Sequence, residues 1–315
     1  MFGDKACRTK WKSNAWGGPQ ALHPSFRITG KFLDSIGGPG FENVLAQPVR
    51  VPLLTPYISL IRMRRGLRGQ LRKSVYGITA GEVIGRRSKP LTAQAVRDMI
   101  GLRADQLLVL LLFGKDKFLE RLWNHRDQFL PELACGGFDL IVAPSYSLWE
   151  PRPRPEHLYA LKRSLVIFQG LQMLGAPAIP RVAWSVANDA KRLARWAADN
   201  PALNHVGVDL TTYRSSRDYA IQLGLLNTFD RLSGTRLSYL INGPSRLDRI
   251  QALYDVVSPE RIHIANSRAI ARDSAPGSTF LEKEETEDRV VDAAQSVSLK
   301  SDHRRRSRMS DAARA

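Results

Sequence analysis

The chain has 315 residues, of which 47 are lysine or arginine and 30 are aspartate or glutamate, so its formal net charge is +17. Hydrophobic residues make up 43% of it, a share that indicates a buried core and excludes a chain disordered throughout. Two cysteines exclude a disulfide scaffold and a cysteine-based zinc knuckle. The longest apolar run, 107–113, is far shorter than the roughly 20 residues of a membrane-spanning helix, and the N-terminus lacks the apolar stretch of a signal peptide. We therefore expect a basic, cytoplasmic protein without a membrane segment.

The composition divides the chain into three parts. Residues 1–48 are rich in glycine and proline and predict an irregular arm, whose aromatic residues indicate that it packs against the body of the protein. Residues 49–270 carry regular apolar patterns and predict a single α/β domain. Residues 271–315 contain an acidic stretch and then the basic run Arg304–Arg308, a composition that predicts a disordered tail. The aromatic residues of the arm are Trp11, Trp16, Phe26, Phe32 and Phe41.

Positive charge is concentrated in residues 50–89, where ten basic residues stand against the single acid Glu82. Such a patch attracts nucleic-acid phosphates through counterion release, although a charge run is more often a solvated face. We predict nucleic-acid contact here, with these residues as the candidates: Arg62, Arg64, Arg65, Arg68, Arg72, Lys73, Arg86 and Arg87.

From about Leu91 onward, short apolar strands alternate with amphipathic helices. Thr92 is a candidate N-cap for the first helix, and glycines follow the predicted ends of later helices. Further strands are predicted near 49–54 and 75–78. The regular part predicts strands near 107, 138, 178, 206, 236 and 261, with helices at 118–130, 157–174, 188–200, 216–232 and 245–257.

Strands without apolar–polar alternation are typical of a parallel sheet buried on both faces. Eight of them would close a (β/α)8 barrel, and fewer would leave a partial one. A doubly wound sheet is the alternative, but the glycine-rich phosphate turn after a first strand is missing. The predicted fold class is therefore α/β, with repeated βα units in a mainly parallel, TIM-barrel-like or partial barrel.

One stretch, from Phe113 to Trp184, carries a recognisable order of motifs. A helix contains Phe118-x-x-x-Leu122-Trp123-Asn124, a strand then ends in Pro144-Ser145-Tyr146-Ser147, and prolines follow at 151 and 153. A long helix carries Arg163 and Gln172, and after Gly175 comes the strand Ile179-Pro180-Arg181-Val182-Ala183-Trp184.

These motifs resemble an uncharacterised bacterial and phage family known only as a domain of unknown function. The resemblance covers roughly seventy residues. It implies a related fold and an association with plasmids or phages, and it implies no reaction. This chain has Ser145 where members of that family usually carry an aspartate, so any role of that carboxylate is absent or moved here.

Polar side chains follow almost every predicted strand. In parallel α/β proteins, reactive groups gather where strands end and helices begin. Because serine, asparagine and aspartate also prefer helix N-caps, capping is the alternative for each residue taken singly. As a set they predict a ligand or catalytic pocket. The residues are Gly114, Lys115, Ser145, Ser147, Arg181, Trp184, Asp209, Thr211, Asn242, Asn266 and Ser267.

Within this set, Asp209 follows an apolar strand and is the leading catalytic candidate, as a base, a metal ligand or an acceptor for a sugar hydroxyl. The alternative is a salt bridge to Arg181 or Arg214. Arg181 suits an anionic substrate, because its guanidinium matches carboxylate or phosphate. Trp184 could stack on a planar ligand or simply pack in the core. Ser147 is a second catalytic candidate, although it lacks the Gly-x-Ser-x-Gly elbow of activated serines.

Motifs for metals and common cofactors are missing. The sequence has no His-x-x-x-His pair, no Cys-x-x-Cys and no Gly-x-x-x-x-Gly-Lys, so we predict no metal site and name no cofactor. His205 and His263 fall near strand starts, away from the expected site.

Three functions remain open. The first is a ligand or catalytic pocket at the strand ends, for a nucleotide or another phosphorylated compound. The second is a non-enzymatic, nucleic-acid-associated protein of a mobile element, which uses the basic residues of 50–89. The third is a structural module that meets a protein partner through the arm and tail. No reaction can be named from these residues.

Overall fold

The computed structural model describes residues 33–34, 36–63, 71–85, 87–148 and 153–266. Several sequence predictions lie outside the described residues. They concern the tail with Arg304–Arg308, most aromatic residues of the arm (Trp11, Trp16, Phe26 and Phe32), and the site candidates Arg64, Arg65, Arg68, Arg86 and Ser267.

A single sheet of eight parallel strands forms the centre of the molecule. Each strand except β5 pairs with the strand that follows it along the chain, and the last strand pairs back with the first. The strands are β1 Tyr57–Leu60, β2 Val75–Thr79, β3 Leu107–Leu111, β4 Leu140–Val142, β5 Ala178–Ile179, β6 His205–Asp209, β7 Ser238–Asn242 and β8 Ile262–Asn266.

The gap in this ring, between β5 and β6, is bridged by Arg181 and Gly207, which are parallel register partners. The Gly207 amide donates to the Pro180 carbonyl at 2.8 Å, and its carbonyl accepts from the Val182 amide at 2.9 Å. The sheet is thus a nearly closed barrel with alternating helices, and the predicted TIM-barrel-like fold is confirmed.

Helices lie between most successive strands and cover the barrel, and two of their N-termini are capped by a side-chain hydroxyl, at Thr92 as the sequence predicts and at Ser215. The Thr92 hydroxyl accepts from the Ala95 amide at 3.2 Å, and the Ser215 hydroxyl accepts from the Asp218 amide at 3.0 Å. The helices are α1 Ala80–Val83, α2 Ala93–Ile100, α3 Asp116–Asn124, α4 Arg126–Ala134, α5 Arg154–Met173, α6 Ala187–Ala198, α7 Ser216–Leu232 and α8 Leu247–Tyr254, with a 3₁₀ turn at Pro259–Arg261.

Two predicted elements, one strand and one helix, differ from those in the structure. The first strand is Tyr57–Leu60, and the segment 49–54 forms no strand. The helix predicted over 118–130 is two helices, because the backbone of His125 (φ −116°, ψ 22°) leaves the helical region. The apolar period continues through this break, since side chains on both sides of it are buried. Periodicity alone therefore did not reveal it.

The barrel separates two layers of apolar side chains. The inner layer fills the barrel and includes Ile58, Val109, Val142 and Leu240. The outer layer packs between strands and helices and is much larger. Because successive side chains of a strand point to opposite faces, each strand contributes to both layers, which is why the strands are apolar throughout.

The described part of the arm packs against α5 and α6. Phe41 and Val44 are buried there. The Trp196 indole donates to the Val44 carbonyl at 2.7 Å, and the Gln172 side-chain oxygen accepts from the Gln47 amide at 2.8 Å. The buried Lys162 ammonium donates to the Gly40 carbonyl. Backbone groups of an irregular segment thereby find partners on the helices.

Candidate functional site

The strand ends bring four predicted residues to the mouth of the barrel. Gly207 faces the interior, since a Cβ added there would lie 2.3 Å from Val142 Cγ1. Arg181, its register partner, therefore faces the interior as well. Asp209 lies two residues beyond Gly207 on the same face, and Asn242 is the register partner of Asp209. Ser145 follows β4 and reaches Asp209 from the opposite side of the gap.

Asp209 is the centre of a hydrogen-bond network that we call the Asp209 network: Ser145, Asp209, Thr211 and Asn242. One carboxylate oxygen accepts from the Thr211 amide (3.1 Å), the Thr211 hydroxyl (2.7 Å) and the Asn242 amide nitrogen (3.2 Å). The other accepts from the Ser145 hydroxyl at 2.9 Å. A carboxylate accepts about four hydrogen bonds, so this one is held firmly by three different elements.

A glycine allows the loops of this network to approach each other. Gly243, directly after β7, has φ +127°, and a Cβ there would lie 2.8 Å from the Thr211 amide nitrogen. Any other residue would push the loop after β6 away from the end of β7. The Thr211 contacts with Asp209 thus depend on this glycine.

Arg181 lies beside the network but is not part of it. Its side chain is 8% exposed, its guanidinium donates one long hydrogen bond to the Tyr146 carbonyl (3.5 Å), and its Nε has no hydrogen-bond partner among the described residues. Burial lowers its pKa, against the opposing influence of the Asp209 carboxylate and Tyr213. The salt bridge that the sequence analysis considered between Asp209 and Arg181 or Arg214 does not form, because Asp209 is bonded to neutral groups instead.

Three predicted residues point elsewhere. Trp184 packs in the outer layer, 5.8 Å from Phe229 between ring centroids, and is 2% exposed. Asn266 donates to the Pro244 carbonyl at 2.9 Å and also faces outward. The Ser147 hydroxyl donates to Asp116 at 2.7 Å, at the start of α3. The prediction that these three residues face the same pocket as Arg181 is therefore wrong.

The described basic residues of 50–89 do not share one face. Arg62 follows the carboxyl end of β1, whereas Arg72 and Lys73 precede the amino end of β2, at the opposite end of the barrel. Lys73 lies over the Tyr57 ring at 4.4 Å, and the Arg87 guanidinium donates to the Glu82 carbonyl at 2.8 Å. Nucleic-acid binding by this region stays a prediction.

Sequence reasoning missed the role of Arg163, a residue of α5 that is 2% exposed. Its guanidinium donates to Glu120 at 2.9 Å and lies over three rings, of Tyr146 (4.0 Å), Tyr159 (4.7 Å) and Trp123 (5.5 Å). Burial alone would lower its pKa, but the charge and hydrogen bond of Glu120 together with Tyr146 and Tyr159 outweigh burial and raise it. Several motif residues of 113–184 are thus packed around one buried cation.

A second missed cluster lies in the loop after β5, where Ser185 contacts His157 Nδ1 at 3.0 Å and Asp189 at 3.1 Å. Asp189 is fully buried and also binds Arg154 and the backbone amides of Ser185 and Val186. Although burial opposes it, these hydrogen bonds lower the pKa of Asp189. Since Asp189 is the third residue of α6, the cluster caps that helix.

The described residues contain neither a cluster of metal-ligating side chains nor a membrane-spanning helix. Within them, no three histidine, cysteine, aspartate or glutamate side chains are grouped so as to hold a metal ion. Among the helices that the structure describes, none combines the length and the apolar character needed to cross a bilayer.

Comparisons with known proteins add only weak likenesses. No protein-family model and no curated protein matches the chain, so membership of the family that residues 113–184 resemble stays a prediction. The native KDPGal structure is 14% identical, with a TM-score of 0.43 over 79% of this chain and 98% of that chain. A cube-shaped, highly porous protein cage designed by fusing symmetric oligomeric domains is 12% identical, with a TM-score of 0.45 over 82% and 78%. At these scores neither likeness bears on function.

Proposed function

We propose that the protein binds a small phosphorylated compound, such as a nucleotide, at the mouth of the barrel, with the phosphate on Arg181. The proposal rests on the surroundings of the Arg181 guanidinium. It is buried, it forms no ion pair with a described residue, and its Nε lacks a partner. An arginine in this state pairs favourably with an anion that brings its own charge.

The free-energy cost of burying the Arg181 charge favours the binding of an anion beside it. A buried charge without a counterion costs several kcal/mol in general, and the lowered pKa of Arg181 reflects that cost. A phosphate would supply both the missing charge and acceptors for unused N–H groups. A guanidinium can hold a phosphate through two parallel hydrogen bonds, which an ammonium group cannot do, so an arginine suits this role better than a lysine.

The Asp209 network provides a fixed frame beside the anion. It ties the loops after β4, β6 and β7 together. Because the oxygens of Asp209 already accept four hydrogen bonds, we assign it to positioning the mouth. A role as base or metal ligand would require it to give up some of these bonds. The exposed Thr211, whose amide and hydroxyl both donate to Asp209, is the residue of this network placed to contact the rest of the compound.

Ligand-induced thermal shift tests the proposal. The parent protein is heated with a panel of nucleotides and sugar phosphates, each beside its unphosphorylated counterpart. A ligand at about 100 times its Kd stabilises the native state by about 2.7 kcal/mol, which raises the melting temperature by several degrees in a protein of this size. We expect a phosphorylated member to give such a shift and its unphosphorylated counterpart to give none.

Two variants locate the site. Arg181→Ala should abolish the shift. Arg231→Ala, which removes the same charge from an exposed position at the far end of α7, should retain it. If no phosphorylated compound shifts the parent protein, or if both variants respond equally, the proposal is wrong.

A further inference from the structure

The amino end of the barrel holds two histidines that the mouth does not use. His205 begins β6 and His263 is the second residue of β8. Each lies two residues before an interior position, Gly207 and Ala265, so both imidazoles face the inside of the barrel. Their ring centroids are 6.1 Å apart, and the ring planes are inclined by only 23°.

In each ring, one nitrogen already has a hydrogen-bond partner. His263 Nδ1 lies 3.0 Å from the Thr55 carbonyl oxygen, and His205 Nδ1 lies 3.0 Å from Asn204 Oδ1. A carbonyl oxygen only accepts, so Nδ1 carries the proton in both rings and Nε2 keeps its lone pair. Histidines that bind metals are held in this way, by a hydrogen bond from the other ring nitrogen to an oxygen.

We infer that His205 and His263 form a two-histidine site for a divalent transition-metal ion, such as Zn²⁺, at the amino end of the barrel. The ion would be bound through the two Nε2 atoms, and water would complete its coordination. Since a zinc–nitrogen bond is about 2.0–2.1 Å, two imidazoles on one ion have centroids roughly 5–6 Å apart. The observed separation is close to that range.

The surroundings keep both rings neutral. Burial, and then the neighbouring His263, lowers the pKa of His205 to about 4. Burial also lowers the pKa of His263, against the opposing influence of its Thr55 hydrogen bond. Neutral imidazole is the form that binds Zn²⁺, Cu²⁺ and Ni²⁺. The site lies at the opposite end of the barrel from Arg181, so the result of testing one proposal does not decide the other.

Zinc titration of the full chain tests this inference. Isothermal titration calorimetry with ZnCl₂ should show one ion bound. Long-range ¹H–¹⁵N spectra of the imidazoles should show that the Nε2 resonances of His205 and His263 shift together while Nδ1 remains protonated. His205→Gln or His263→Gln should each weaken binding at least tenfold.

Three control variants separate this site from incidental binding. His125→Gln alters an exposed histidine at the junction of α3 and α4, while His23→Gln and His303→Gln alter the two histidines outside the described residues. All three should bind zinc as the parent does. If the parent shows no zinc-dependent change at His205 and His263 in the spectra, the inference is wrong even should a variant fail to fold. Loss of binding only in His23→Gln or His303→Gln would also overturn it.

Discussion

Two buried arginines, 18 residues apart in the sequence, differ in whether the fold supplies a partner for their charge. Arg163, in the outer layer, has the Glu120 carboxylate and three aromatic faces. Arg181, at the barrel mouth, has a long contact with one carbonyl. Tyr146 touches both, since its ring lies under Arg163 and its carbonyl faces Arg181. The pKa is raised for Arg163 and lowered for Arg181.

This difference is the basis of the proposed anion site, because the charge of Arg163 is paired inside the fold and that of Arg181 is the one we propose a ligand to pair. In both guanidinium groups Nε has no partner among the residues that the structure describes, so that atom alone does not distinguish them. What distinguishes them is the counter-charge. Arg163 is neutralised by Glu120, whereas Arg181 forms no ion pair with any residue that the structure describes and would gain one from a bound anion.

The largest expected effect is at Arg163. Arg163→Met keeps much of the volume but removes the ion pair and the contacts with three rings, and it leaves Glu120 without its partner. Breaking a buried pair costs about 3–5 kcal/mol, so we expect the free energy of unfolding in urea to fall by about 3 kcal/mol.

Glu120→Gln is the matched control for that variant, because it removes the charge of the partner and leaves the arginine on its rings. It should destabilise the protein less than Arg163→Met does. A loss below about 1 kcal/mol for Arg163→Met would mean that the pair behaves as a surface pair, and the comparison between the two arginines would fail.

An intermediate effect is expected at Asp209. Asp209→Ala leaves the Ser145 hydroxyl and the Asn242 amide without their acceptor, and each unsatisfied buried group costs about 1–3 kcal/mol. We expect a loss of about 2 kcal/mol in urea unfolding. Asp209→Asn retains an oxygen of the same shape and should lose less than half as much. Equal losses in the two variants would show that the charge, and not the hydrogen-bond frame, holds the mouth.

The smallest effect on stability is expected at Arg181. Arg181→Met removes a buried charge that has no ion pair within the described part of the chain, so the free energy of unfolding without ligand should change by less than about 1 kcal/mol, or rise. The same urea measurement, made beside Arg163→Met, gives the contrast directly. A loss as large as that of Arg163→Met would show that Arg181 is a structural cation and would remove the main support for an anion site.

Much of this architecture was predictable from local patterns. Strands β2, β3, β4, β6, β7 and β8 and the helix Ser216–Leu232 fall where the apolar periods place them, and the shared direction of the strands predicted that Ser145, Arg181, Asp209 and Asn242 would meet. The directions of other side chains were not predicted. Arg181 and Trp184 both follow β5, yet they face the interior and the outer layer respectively, because three positions along an extended chain reverse the face.

Sequence alone determined that strands and helices alternate and that polar groups follow the strands, because hydrophobic period and capping preference are local properties of the chain. Only the tertiary structure decided which of those groups face one another. When both faces of a strand are buried, no contrast in hydropathy marks the inner face. The partners of Arg163, Arg181 and Asp209 also come from elements tens of residues away, and their positions are fixed only when the barrel closes.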